Sequence, residues 1–167
     1  MTDEQFIKFY DDYADAIFRH CFYRIRDREL AKDLSQEIFM RVWEYLARGK
    51  EVLNLKAFVY KVANNRIIDE VRKRKEIYSL DTLAEAGFDV NDGEQEAMLT
   101  AADAKIALSK LSELPEDYRQ VFVLRHIDGL PIKEIAEILG ETENNVSVRI
   151  HRALKKLQFL IMGKSNE

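Results

Sequence analysis

Near the end of the chain, Asn144, Ser147, Val148, His151, Arg152 and Lys155 recur at intervals that set an amide, a hydroxyl and several cations along one flank of a helix. At 100° per residue the opposite flank carries Val146, Ile150, Ala153, Leu154 and Leu157. Amides and guanidinium groups pair with base edges, and cations hold phosphates, so the outward flank has the chemistry of duplex reading in a major groove. Such a flank needs a second helix to brace it. Leu130 to Leu139 supplies a short one, with Ile135 and Leu139 facing Val146 and Ile150, and with Ala136 small where the helices cross. Gly140 sits where the chain must reverse, and Thr142 is a plausible N-cap. Together these predict a helix-turn-helix.

A second group with chemistry lies between Asn54 and Lys75, where Lys61, Asn64, Arg72 and Lys75 project along one face of a predicted helix, with Phe58 and Tyr60 near its start. Cations that follow a backbone, together with aromatics able to stack on unpaired bases, suit a single strand. Two bland readings stand beside this one. The basic run Arg72-Lys73-Arg74-Lys75 also answers a helix dipole, and the aromatics also suit a core.

A third group lies on a helix predicted from Glu29 to about Arg48. Ala31, Leu34, Ile38, Val42 and Tyr45 share one side, while Asp33, Gln36, Glu37, Met40, Trp43 and Glu44 share the other. An exposed Met and Trp ringed by carboxylates and an amide form a docking surface. Against it stands the reading that Trp43 folds back onto a neighbouring helix. A long helix is predicted before it, from Asp3 to about Asp27, with Phe6, Phe9, Tyr10, Tyr13, Ile17 and Ile25 at core spacing, and the two can share one core.

With 167 residues, 47% of them hydrophobic and 34% charged, the chain suits one soluble domain or two small ones. Two prolines, six glycines and unbroken helical periodicity predict an all-α fold without hairpins. The acidic start lacks the pattern of a leader, and no apolar run approaches the roughly 18 residues of a membrane span, which predicts a cytoplasmic protein. Cys21 alone permits no intrachain disulfide. A net charge of −4 is unusual for a partner of nucleic acid, but the acid is concentrated: residues 76 to 103 hold eight Asp and Glu and no Lys or Arg. The rest of the chain is therefore basic. The expected division is a first helical domain over 1–78, an acidic flexible linker over 79–103 and a second helical domain over 104–167. Such a tether either keeps the protein soluble or repels phosphate from misplaced basic surfaces.

Three segments together resemble the extracytoplasmic-function (ECF) class of bacterial RNA polymerase sigma factors: Asp33 to Trp43, Ala57 to Asp69, and Leu114-Pro115 onward through the helix-turn-helix. The resemblance spans about nine-tenths of the chain. It implies a sigma domain 2 and a sigma domain 4, core RNA polymerase as partner through the β′ clamp helices and the β flap, promoter DNA as ligand, and a separate anti-sigma protein as inhibitor. Asp33, Gln36, Glu37, Met40 and Trp43 match the clamp-gripping helix. Arg48, Lys50 and Asn54 match the loop that captures a flipped −10 base, and Phe58, Tyr60, Lys61, Asn64 and Asn65 match the helix that supports strand opening. Flipping costs a few kcal/mol per base, which stacking and pocket hydrogen bonds offset. Arg72, Lys73, Arg74 and Lys75 would take adjoining phosphates. Arg125 and Lys133 would position the −35 duplex, and Asn144, Asn145, Ser147, Val148, Arg149, His151, Arg152 and Lys155 would face its bases or phosphates.

The chain departs from the family at the recognition helix, which commonly opens Gly-Thr-Val and continues with a basic residue and Ser. Here the residues are Asn144-Asn145-Val146-Ser147-Val148. Asn reads adenine and Val meets a thymine methyl, so an A/T-containing −35 element is expected. The end at Glu167, soon after that helix, leaves no room for a further regulatory domain. Two rival readings are weaker. A stand-alone helix-turn-helix regulator gives the Asp33 to Trp43 face no role. An enzyme finds little support: His20, His126 and His151 fall on separate helices, and neither a HExxH motif, a Cys pair nor a phosphate loop is present. No catalytic residue, cofactor or metal site is expected. Asp11, Asp12 and Asp15 read as solvated carboxylates, and His20 beside Cys21 reads as a buried pair before it reads as a sensor.

Overall fold

The computed structural model describes the backbone of residues 1–81 and 108–163, with side chains at 1–75 and 108–163. The expected linker therefore lies largely outside the described residues; its first three, 79–81, continue a helix. Among the described residues the bounded α-helices are, in order, α1 Asp3–Ile25, α2 Arg28–Ala47, α3 Leu55–Asp81, α4 Glu116–Phe122, α5 Ile132–Leu139 and α6 Glu143–Met162, and residues 108–110 are also helical.

Local chemistry sets these boundaries. Thr2 and Gln5 form a reciprocal capping box at α1: Thr2 Oγ1 accepts from the Gln5 amide at 3.1 Å and Gln5 Oε1 accepts from the Thr2 amide at 2.9 Å. Arg26 ends α1 in the left-handed region at φ 63°, and Asp27 at once caps α2 by accepting from the Leu30 amide at 3.1 Å. This two-residue corner folds α2 back along α1. Asn54 caps α3 in the same way, through the Ala57 amide at 3.0 Å.

The first three helices bury one continuous stripe. Ile17 and Cys21 of α1, Ala31, Leu34, Ile38 and Val42 of α2, and Val59, Ala63 and Ile67 of α3 are all fully buried. The expected stripe on α2 is thus the core stripe, with Tyr45 half-buried at its end. Tyr10 departs from the expected α1 stripe: it is 38% exposed, its ring edge-on to Phe39.

In the second unit, a 3-10 turn at Leu111–Glu113 leads to α4, which widens into a π-helical turn at Val123–Ile127. The Arg119 guanidinium ties this corner together by donating to the carbonyl oxygens of Leu111, Ser112 and Leu114. Helices α5 and α6 form the helix-turn-helix. Gly140 reverses the chain at φ 69°, a conformation that costs a residue with a Cβ about 1 kcal/mol. Thr142 Oγ1 accepts from the Asn145 amide at 3.0 Å, capping α6. Ile135, Ala136, Val146, Ala153 and Leu157 are buried as the spacing predicts, whereas Leu154 is 36% exposed, on the edge of the stripe rather than within it.

Core and surface positions on one helix should separate cleanly in stability. Urea melts should place Leu34→Ala about 3 kcal/mol below wild type, with Met40→Ala, truncated at a 58% exposed side chain, within about 0.5 kcal/mol of it.

Candidate nucleic-acid and protein-binding faces

The outward flank of α6 is open to solvent. Asn144, Asn145, Ser147, Val148, His151, Arg152 and Lys155 are all exposed, and α6 is held rigidly from behind by Val146 and Ala153. Arg149 lies at its margin, half-buried, with its guanidinium 2.6 Å from Glu141 Oε1. Lys133 is exposed on α5. Arg125 differs from expectation: it is half-buried and donates to the Leu130 carbonyl oxygen at 3.0 Å, so it holds the corner before α5. His126 packs on Phe122 at 4.8 Å, and burial together with the neighbouring Arg125 holds its imidazole below the usual histidine range.

On α2 the second face divides. Asp33, Gln36 and Met40 are exposed. Trp43 is not: its ring meets Phe6 at 5.1 Å and is half-buried, so α1 covers a side that the projection of α2 alone leaves free. Glu37 is also engaged, its Oε2 accepting from Arg41 at 2.8 Å and from Arg66 at 2.9 Å. Arg66 bonds onward to Glu70 at 3.2 Å. The hydrogen bond from Arg66 leads the causes that hold the Glu37 carboxyl below the ordinary glutamate value.

The third face, on α3 and the loop before it, departs most from expectation. Arg48, Lys50 and Asn54 are exposed, with the Lys50 ammonium 5.6 Å above the Tyr45 ring. Leu53 stands wholly in solvent at the loop tip, a position that sequence reasoning passed over and that an apolar residue in a polar loop would have marked. Lys61, Asn65, Arg72, Lys73 and Lys75 are exposed, with Arg72 3.6 Å from Asp69. Arg74 turns back to the Ile25 carbonyl oxygen at 3.4 Å and lies 4.0 Å from Asp27. Phe58 is half-buried on Tyr45 at 4.8 Å. Tyr60 and Asn64, expected on an open strand-binding face, are 2% and 3% exposed. Burial pushes the Tyr60 phenol up.

Asn64 lies in a polar seam between the first three helices and the second unit, and Tyr60 sits beside that seam against His20 of α1. Asn64 Oδ1 accepts from Arg24 at 3.0 Å and from Gln120 at 2.9 Å. Arg24 also meets Glu116. His20 Nδ1 lies 2.6 Å from Asp128 Oδ2, and the imidazole stands edge-on to Tyr60 at 5.5 Å. His20 and Arg24, one turn apart on α1, are both buried. Lys56 lies 3.6 Å from Glu134 at the rim.

Asp11, Asp12 and Asp15 are exposed, and among the described residues no three His, Cys, Asp or Glu gather where they would hold a metal ion. Cys21 lies under the seam, fully buried, its thiol pushed up to about 12 mainly by burial.

Family models match the chain twice: Sigma-70 region 2 over residues 9–77 and Sigma-70 region 4 over residues 105–157. The ECF RNA polymerase sigma factor SigW of Bacillus subtilis is 31% identical over 165 residues, covering 93% of this chain and 88% of that protein. The ECF RNA polymerase sigma factor SigM of the same organism is 30% identical over 152 residues, covering 90% and 91%. In fold, the chain is similar to the sigma factor RpoE bound to the anti-sigma factor NepR from Bartonella quintana, with a TM-score of 0.79 at 22% identity over 96% of this chain and 99% of that one. It is also similar to CnrH in complex with the cytosolic domain of CnrY, with a TM-score of 0.74 at 21% identity over 98% and 91%.

Two outcomes follow from these positions. The Glu37 bridge is present above the ordinary glutamate pKa and lost as pH falls through its lowered value; carbon-detected NMR titration should show the Glu37 midpoint rising in Arg66→Ala. Since the thiolate is the reactive form, a maleimide at pH 7 should label Cys21 only in unfolded protein, and rapid labelling of the native chain would contradict its placement.

Proposed function

Because the chain belongs to the ECF class of the sigma-70 family, we propose that it directs core RNA polymerase to promoters by dividing the task among three faces. The exposed side of α2, with Asp33, Gln36 and Met40 at its centre, grips the β′ clamp helices. Glu37 and Trp43 act from its edge, one set by Arg66 and the other seated on Phe6. The outward flank of α6 reads the −35 duplex, with Arg152, Lys155 and Lys133 on phosphates and Asn144, Ser147 and Val148 at base edges. The second unit as a whole meets the β flap. The loop from Arg48 to Asn54 and the α3 face from Phe58 to Asn65 capture the −10 strand, with Arg72, Lys73 and Lys75 on the adjoining backbone.

The protein acts without catalysing a bond change; phosphodiester chemistry belongs to the polymerase. Its work is done in the cytoplasm, with an anti-sigma protein as its inhibitor. No helix among the described residues is long and apolar enough to cross a membrane. The observation that carries the reading is the order of the two family regions along one chain, each with an open polar face. A free-standing helix-turn-helix regulator would leave the carboxylate, amide and methionine surface of α2 without work.

Purified protein should co-migrate with bacterial core polymerase on size exclusion, and the Asp33→Ala/Gln36→Ala double variant, folded by circular dichroism, should not. Arg152→Ala should weaken −35 duplex binding by about tenfold and flatten its salt dependence by about one counterion. Unchanged co-migration of the double variant would remove α2 from the polymerase contact.

A further inference from the structure

Arg149 is expected at −35 bases or phosphates, yet its guanidinium is bonded at 2.6 Å to Glu141, in the turn of the helix-turn-helix. A carboxylate so close to a DNA-reading helix repels phosphate, so its place there asks for a reason. The turn itself is fixed at both ends. Gly140, left-handed at φ 69°, donates to the Ala136 carbonyl oxygen, the Glu141 amide donates to the same oxygen at 3.0 Å, and Thr142 caps α6 through the Asn145 amide. Glu141 is therefore a fixed point against which α6 can be held. We infer that Glu141 and Arg149 are a positioning pair that sets the rotation of α6 about its own axis, so that Asn144, Ser147 and Val148 meet base edges in register. This rests on the reading of α6 as the −35 helix.

Helix geometry shows why rotation needs a brace. At 100° per residue, Arg149 stands about 140° round from Asn144, between Arg152 at about 80° on the reading flank and the seam of Ala153 and Val146 at about 180° to 200°. Ala153 and Val146 are fully buried and fix the distance of α6 from its support, but apolar contact is non-directional and tolerates a small roll. A charge-assisted hydrogen bond is short and directional. Set at the edge of the seam, it resists that roll. The tolerance is narrow: side-chain tips lie about 6 Å from a helix axis, so a roll of about 10° carries them about 1 Å, more than the spread of ordinary hydrogen-bond lengths. The two side chains keep 25% and 31% of their surface in solvent, and ion pairs so placed add little to stability. What this one contributes is direction. With its charge answered by Glu141, Arg149 neutralises no phosphate, and that work is left to Arg152, Lys155 and Lys133.

The test uses the full chain and the duplex that wild type enriches from a random pool, with a mixed-sequence duplex beside it. The double variant Arg149→Met/Glu141→Gln deletes the brace at unchanged net charge. It should bind the enriched duplex about tenfold more weakly, the loss of one well-aligned base contact, while binding of the mixed-sequence duplex, the salt dependence and the melting temperature stay as in wild type. Glu141→Gln alone should narrow the same discrimination. Equal weakening on both duplexes, with the salt slope reduced by about one counterion, would make Arg149 a phosphate ligand and overturn the brace. Tighter binding of Glu141→Gln to both duplexes by the same factor would overturn it as well, because the carboxylate would then only hold back a phosphate ligand. A double variant that discriminates as wild type does would overturn it outright. Arg152→Ala separates the failures: if it weakens duplex binding, α6 remains the reading helix and only the brace falls, and if it does not, the reading of α6 falls with it.

Discussion

Arg24 lies in the last turn of α1, 1% exposed, and the architecture of the seam follows from what a guanidinium taken out of water demands. A charge buried there is costly unless acceptors meet it, and it has two, from different parts of the chain: the Asn64 amide oxygen on α3 and the Glu116 carboxylate on α4. Asn64 in turn accepts from Gln120, so one side-chain cluster joins α1, α3 and α4. His20, one turn earlier on α1, repeats the arrangement with Asp128. The apolar stripes make each unit fold. The polar pairs on α1 decide how the two units meet.

The π-helical turn is what brings Asp128 to that place. The wider turn lets the Asp128 amide donate to the Val123 carbonyl oxygen at 2.8 Å, five residues back, and the Leu130 amide closes on Leu124 at 3.0 Å. Irregular turns of this kind recur where a chain has something to present. Here the turn presents a carboxylate to α1 and then releases the chain into α5, whose far end sets the angle of the reading helix. One local distortion thus serves both the contact with the first unit and the position of α6.

Much of this was legible in the sequence, and the failures share one cause. Helical projection placed Ala31, Leu34, Ile38 and Val42 in the core of α2, and the outward flank of α6 in solvent, because in each case one stripe is buried by immediate neighbours. Gly140 and Thr142 announced the turn of the helix-turn-helix by residue type alone. Projection says nothing about a helix arriving from elsewhere. Trp43 read as exposed because Phe6 belongs to α1, Tyr60 read as open because His20 stands on α1, and Asn64 read as open because Gln120 of α4 lies more than fifty residues away. Arg125 read as a phosphate ligand because nothing in its spacing announced a carbonyl oxygen within reach. One signal was present and went unused: His20 and Arg24, four residues apart within the apolar run of α1, had to find partners, and none stood on α1 itself.

The central claim is that this chain confers promoter choice on a polymerase that lacks it. Run-off transcription of the source genome's DNA by bacterial core polymerase, with and without the purified protein, tests it most directly. The account predicts a set of start sites that exist only when the protein is added and that share two upstream elements, spaced as −35 and −10. Start sites indifferent to the protein, from core polymerase that it demonstrably binds, would contradict it.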